Sequence, residues 1–220
     1  MAGVQNILNR MGDVVLALGE AEKAHVQPTR IQLQKFVYLT DVLGQLVGAM
    51  KLLEGHKIYF NGPYDSAIQN AVDSLAFRGV VRIVGVWKTP SGSTGTKYAL
   101  ATPGQSLMSR LHEAPEFQRK VQVAKLVGTQ MRKCGWSRIV DLVYAEPTFV
   151  ALRPSGWGEQ LAVENGLTIS AAFVLAVMRR VAGIVHPGQQ VSPEWFAERF
   201  FAYLNDYDHH YGASVSKVAG

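Results

Sequence analysis

Leu75-Ala76-Phe77-Arg78-Gly79 closes a helix, and Val80-Val81-Arg82-Ile83-Val84-Gly85-Val86-Trp87 is a β-rich run. Lys88-Thr89-Pro90-Ser91-Gly92-Ser93-Thr94-Gly95-Thr96 is turn chemistry, and Lys97-Tyr98-Ala99-Leu100 is the returning strand. Thr102-Pro103-Gly104-Gln105 opens the next helix, with Thr102 as N-cap, Pro103 at the first helical position and Gln105 three residues after the cap. Helix, two-stranded wing and capped return helix form the order of a winged-helix module. The expected fold is therefore mainly α with a small β-hairpin, a winged-helix-like module embedded in a compact helical domain.

Helical periodicity continues on both sides of this stretch. Val4, Ile7, Leu8, Met11, Val14, Val15 and Leu18 recur at three- and four-residue steps and predict an amphipathic first helix. A second helix starts after Pro28, where Thr29 and Gln32 have capping-box spacing; Ile31, Phe36, Val37, Leu39, Val42 and Leu43 supply its buried side, with Lys35 solvated. Lys57 to Phe60 reads as a short strand and Asn61-Gly62-Pro63-Tyr64 as a turn, after which Asp65 or Ser66 caps a third helix. Beyond Pro115 a long helix from Glu116 to about Lys133 buries Phe117, Val121, Ala124, Val127 and Met131, and places Arg119, Lys125, Arg132 and Lys133 roughly opposite. Ser137 caps a helix over Arg138 to Tyr144, and Glu146-Pro147 stops it. Arg153 to Gly158 is a loop, Ser170 to Val181 a buried helix, and Ser192-Pro193-Glu194 opens a last helix followed by a loose tail after Asn205. Residues 1–114 form a helical and winged-helix-like part and residues 115–220 a helical part packed on it, together one unit.

The bulk composition agrees with a folded, non-membrane protein. With 220 residues, 48% hydrophobic and 18% charged, the chain has the material for a sizeable core. No apolar run reaches the roughly 20 residues a spanning helix needs, and the first residues show no secretory signal. The lone Cys134 forms no intramolecular disulfide, which fits a cytoplasmic location. Net charge is +5, unevenly spread: Ser74 to Arg138 holds eleven Lys and Arg against two acids, Glu113 and Glu116. A basic middle between acidic ends is the footprint of a segment that meets phosphate, or else a solvated face that is basic by chance.

Three short motifs carry a resemblance. Leu33-Gln34-Lys35-Phe36-Val37-Tyr38-Leu39, then Tyr59-Phe60-Asn61-Gly62-Pro63-Tyr64, then Leu75-Ala76-Phe77-Arg78-Gly79-Val80-Val81 follow one another in order. Together they resemble the "LQKLlY", "YGPY" and "L...G.v" pattern of the bacterial Panacea-type and YwgA-like domains, and Asn61 stands where those families often have Tyr or His. Ile139 to Pro147 is similar to the later "LlelvY..yP" element of the YwgA-like group, so the similarity covers roughly residues 30–150. The resemblance implies an accessory or regulatory protein from a toxin–antitoxin, mobile-element or phage-defence setting, working by binding.

Signatures of catalysis are scarce. The chain has no Gly-rich phosphate loop ending in Lys-Ser/Thr, no His-Glu-x-x-His and no Cys-x-x-Cys, so no metal or cofactor is assigned. Asp206-Tyr207-Asp208-His209-His210 has metal-binding residue types, but consecutive positions point apart. The expected function is a non-catalytic regulatory protein that binds nucleic acid, mostly through phosphate contacts, and controls another activity; a protein-interaction module and an enzyme with an unfamiliar site are the alternatives. For DNA or RNA, Arg78, Arg82, Lys88 and Lys97 around the wing would neutralise phosphate, with Arg119, Lys125, Arg132 and Lys133 extending the track. The helix in the recognition position, Asp65 to Arg78, carries two acids and one cation, which favours nonspecific contact over base readout. For a protein partner, as with an antitoxin that masks its target, Tyr64 and the terminal aromatics Trp195, Phe196 and Phe200 would be anchors, or the last helix would lie in its own core; a homodimer is compatible with either.

Overall fold

The chain is described here from a computed structural model, which covers residues 2–48, 55–59, 62–90, 92–159, 161, 168, 172, 176, 177, 180, 181, 183, 184 and 191–209. Within them the order is α1 (Ala2–Lys23), α2 (Arg30–Leu46), α3 (Ser66–Phe77), β1 (Val81–Lys88) and β2 (Thr94–Leu100), then α4 (Thr102–Glu113), α5 (Gln118–Cys134), α6 (Ile139–Tyr144), α7 (Pro147–Leu152) and α8 (Pro193–Tyr207). The fold is mainly helical with one two-stranded antiparallel hairpin. Both halves of the chain contribute to one continuous apolar core, from Val14, Leu33 and Val72 to Val127, Leu142 and Phe200.

The centre of that core is α2, whose residues from Leu33 to Leu46 are all buried. A helix enclosed on every side has no polar face, so each polar side chain it carries must find a partner inside. The capping box forms as expected: Thr29 Oγ1 accepts from the Gln32 amide at 3.2 Å, and Gln32 Oε1 accepts from the Thr29 amide at 2.8 Å. Gln34 exchanges two hydrogen bonds with the backbone of Asp65, and Tyr38 Oη donates to Glu146 Oε2 at 2.7 Å. The phenol is raised well above its usual pKa by burial and by the neighbouring Glu146 carboxylate, so it stays a donor.

Asp41, one turn further, belongs to a buried ion cluster that the sequence reading did not anticipate. Arg10 of α1 donates to Asp41 at 2.8 Å, to Asp65 at 2.8 Å and to Asp13 at 3.0 Å, with every side chain under a tenth exposed. Lys120 of α5 reaches the other oxygen of Asp13 at 2.8 Å, and His56 Nε2 lies 2.9 Å from Asp41. Burial by itself would lower the Arg10 pKa, but Asp41, Asp13 and Asp65 outweigh it and hold the guanidinium charged. Burial would likewise raise Asp41, yet the Arg10 charge and the His56 hydrogen bond keep it below the ordinary carboxylate range. Asp65 also caps α3 by accepting from the Ala67 amide, so one guanidinium pins α1, α2 and the start of α3 together.

The hairpin extends from this bundle. Val81 pairs with Leu100 and Ile83 with Tyr98, and a bulge between Ile83 and Gly85 shifts the register before Gly85 pairs with Lys97. The returning strand starts at Thr94, three residues sooner than the turn chemistry suggested, and the Tyr98 amide donates to the Pro28 carbonyl, tying the hairpin to the entry of α2.

Several local expectations are corrected. Ala101, not Thr102, caps α4, with no side-chain hydrogen bond, and Gln105 turns to Glu22 instead. Ser137 caps nothing: it lies inside a 3-10 turn, Trp136–Arg138, that runs straight into α6. Glu146 both ends α6 and opens the unexpected α7, accepting from the Phe149 amide at 3.0 Å. Lys57 makes only an isolated bridge to Tyr64, and Ile58 exchanges backbone hydrogen bonds with Gly158 and Glu159. Phe60, Asn61 and most of the 170–181 helix lie outside the described residues; those of that stretch that are described are helical, and Val177 and Val181 are exposed rather than buried. The last helix persists beyond Asn205, to Tyr207.

Because removing one member of a buried ion network strands the others, Arg10→Met should cost about 3–5 kcal/mol. Urea unfolding measures this, and a loss below about 1 kcal/mol would show that water reaches Asp13, Asp41 and Asp65.

Candidate functional site

The GPY turn packs against α2 through a lysine. Gly62 holds φ +82, and a Cβ there would come within 2.7 Å of Lys35 Nζ, so glycine is needed both for the turn and for the approach of the ammonium. Lys35 is only 2% exposed and donates to the Pro63 carbonyl at 2.9 Å. This corrects the expectation of a solvated side chain. No carboxylate among the described residues pairs with it, and burial alone lowers its pKa to about 7. Next to it, Tyr64 is held by two backbone hydrogen bonds to Lys57, and its ring meets Tyr59 edge-on with centroids 5.1 Å apart.

Facing the turn is the hairpin. Trp87 of β1 pairs across the strands with Gly95, and its indole lies over that glycine so closely that a Cβ would sit 2.2 Å from the ring. Lys97 Nζ stands 6.0 Å from the indole centroid. Between hairpin and turn, closed at one end by Thr29, Arg30 and Ile31 from the first turn of α2, runs a groove of about 600 Å³. Lys35 and Gln34 line its floor, Tyr59 and Tyr64 one wall, and Trp87 with residues 93–96 the other. That volume is in the range of ligand and peptide-anchor sites. Ile31, Tyr59 and Trp87 are each about two-fifths exposed, and Ile83, Val86 and Phe77 project further along the hairpin and its approach, Phe77 at 95% exposure.

The cations expected to form a phosphate track divide between two places. Arg78, Arg82, Lys88 and Lys97 are exposed at or near the hairpin. Arg119 and Lys125 are exposed on α5 and border a different depression, with Lys23, His112 and Gln118. Arg132 and Lys133 are engaged by acids from the chain's flanking thirds: Arg132 with Glu20 at 3.0 Å and Lys133 with Glu198 at 2.8 Å. Of the expected partner anchors, Tyr64 lines the groove, and Trp195 and Phe196 are half-buried against the core. Phe200 is wholly buried, because α8 lies against α5 and α2 with Ala197, Phe200, Phe201 and Leu204 inward. That corrects its assignment as an anchor. Asp208 pairs with Arg138 at 2.6 Å; His210 lies outside the described residues.

Sequence reasoning missed Lys35 and Trp87 as site residues. Trp87 carried a signal: a tryptophan at a hairpin end, beside a glycine-rich turn, has little core within reach. Lys35 carried none, since a lone lysine on an apolar helix ordinarily extends to water. Among the described residues no three His, Cys, Asp or Glu side chains converge as metal ligands, and no helix is long and apolar enough to cross a membrane. Comparison with known protein families and with curated proteins finds no match.

Two outcomes follow from this geometry. Lys35 titrates near 7 in the folded chain but at its ordinary 10.5 when unfolded. The unfolded chain therefore binds the extra proton between those values, and stability should rise with pH there, by up to about 1.4 kcal/mol per unit. Lys35→Met should remove that rise, measured as the difference in urea stability between pH 7 and pH 9 for the two chains. Gly95→Val should expel the indole from its seat, read as a red shift of tryptophan emission that Trp87→Phe abolishes; an unmoved spectrum would mean that the ring is not held there.

Proposed function

We propose that this chain is a regulatory protein without catalytic chemistry of its own, which acts by docking a protein partner in the groove between its hairpin and its GPY turn. In this reading the helix–hairpin–helix order of α3, β1, β2 and α4 is a winged-helix-like module whose wing serves as a binding wall. The mode of action is masking, as by an antitoxin that occupies its target's surface, in a toxin–antitoxin, mobile-element or phage-defence setting.

The observation that carries the proposal is the convergence of Ile31, Tyr59 and Trp87, all partly exposed, on one concave site. Aromatic side chains left at water along a groove are the anchors that protein interfaces bury, and each contributes about 1.5–3 kcal/mol when fully covered. The hairpin supports the same reading through β1, which has no strand neighbour but β2 among the described residues, whereas the outer edge of β2 is bridged to Thr29.

A photo-crosslinking residue at Ile31, introduced in the native host, should yield an adduct with one predominant protein. Trp87→Ala should weaken the purified complex by about 2 kcal/mol or more, and co-expression should relieve the partner's toxicity only with the groove intact. Adducts confined to nucleic acid, or a complex indifferent to Trp87→Ala, would refute the reading.

A second reading, nonspecific binding of DNA or RNA, is favoured by one feature. Arg119 and Lys125 are exposed and have no ion-pair partner among the described residues, although Glu194 and Glu198 border the same depression. If it holds, Arg119→Glu with Lys125→Glu should abolish binding without unfolding the chain, and affinity for duplex should fall with salt at a slope of about 0.9 per phosphate contact.

A further inference from the structure

Below about pH 7 the groove floor holds a positive charge that no described residue balances. Lys35 uses one of its three ammonium hydrogens on the Pro63 carbonyl, and the other two have no acceptor among the described residues. None of the fourteen described residues that line the groove is an acid, and Arg30 adds a second cation. The first turn of α2 lines the same space, so the positive end of a 17-residue helix dipole adds to the potential. The contrast with Arg10 is sharp: buried, it is met by three carboxylates, whereas Lys35, equally buried, is met by none among the described residues. A buried ammonium without a counter-ion is costly to the fold, and a ligand that brings the counter-ion recovers that cost on binding.

We infer that the groove recognises the C-terminal carboxylate of the docked partner: a chain end whose carboxylate reaches Lys35 while its last side chain, apolar or aromatic, packs against Tyr59, Tyr64 and Trp87. The inference rests on the groove being the docking site and specifies what enters it. The juxtaposition selects the chemistry. A cation on the floor selects an anion, and the aromatic walls within the same 600 Å³ select an anion carried on an apolar body. Gln34 adjoins Lys35 on the floor, but both ends of its amide are committed to Asp65, leaving the ammonium as the polar contact offered there.

The test uses N-acetyl-phenylalanine and its neutral amide as probes on the full-length chain below pH 7, where Lys35 keeps its proton. Binding is followed by tryptophan fluorescence and by the NMR resonance of the Lys35 ε-methylene. The acid should bind about tenfold more tightly than the amide, as befits one charge-assisted hydrogen bond, and only the acid should shift the Lys35 resonance. Lys35→Met should lose most of that preference, keeping only the part owed to Arg30 and the helix dipole. Should Lys35→Met fail to fold, the resonance of the native chain decides alone. Equal affinity for acid and amide, an unmoved Lys35 signal, or tighter binding of inorganic phosphate than of the acid would each overturn the inference. The two proposals fail separately. A partner complex weakened by Trp87→Ala but not by Lys35→Met would leave the docking groove standing without its carboxylate, whereas indifference to Trp87→Ala would remove the groove's role itself.

Discussion

One guanidinium organises this molecule. Arg10 is set inside the apolar face of α1, where a charge is tolerated only if it is answered, and the answers come from Asp13 on its own helix, Asp41 on α2 and Asp65 at the head of α3. Each acid is tied in turn to something else: Asp13 to Lys120, Asp41 to His56, Asp65 to the first turn of α3. His56 adjoins Asp41 inside this arrangement, and burial holds its pKa below the ordinary imidazole value despite the Asp41 hydrogen bond. Such a network adds little net stability compared with apolar residues of the same shape, but it fixes geometry, because any other packing leaves a buried charge unanswered.

That geometry positions the groove. The segment carrying Gly62, Pro63 and Tyr64 is anchored at one end by Asp65 and at the other by the backbone pairing of His56 and Ile58 with residues 158–161. Gly62, Pro63 and Tyr64 are therefore held in place where they meet Lys35. The opposite wall is tied to α2 as well, through the Tyr98 amide and the Pro28 carbonyl. Both walls are thus referenced to α2, the most enclosed element of the fold, and α2 is stitched to the second half by Phe36 stacked on Trp136, by Gln32 on the Trp136 carbonyl and by Tyr38 on Glu146. A site built on such a base is preorganised, so less of its binding energy is spent on ordering.

The elements legible in the sequence were those with a local cause. Three- and four-residue spacing exposed α1, the Thr29 and Gln32 pair located the start of α2, and the β-rich run before a glycine-rich turn located the hairpin. Local signals misled where several residues competed for one role. Thr102 stood one position inside the helix it was expected to cap, and Ser137 lay within a turn already helical in hydrogen bonding. The long helix buries Val121, Ala124, Val127 and Met131 as read, but Phe117 stands in a 3-10 turn before it, and its opposite side is not uniformly free, since Arg132 and Lys133 meet acids from segments more than 60 residues distant in the chain.

Sequence alone determined the main helices, that a hairpin follows α3 and that the middle third is basic, because spacing, capping chemistry and formal charge depend on near neighbours. Tertiary structure decided which charges are buried and which are answered. Arg10 and Lys35 both interrupt an apolar helix and look alike in one dimension. Only the packing of α1, α2 and the GPY turn surrounds the first with carboxylates and leaves the second facing an aromatic groove, since electrostatic environment is set by what the whole fold brings within a few ångströms.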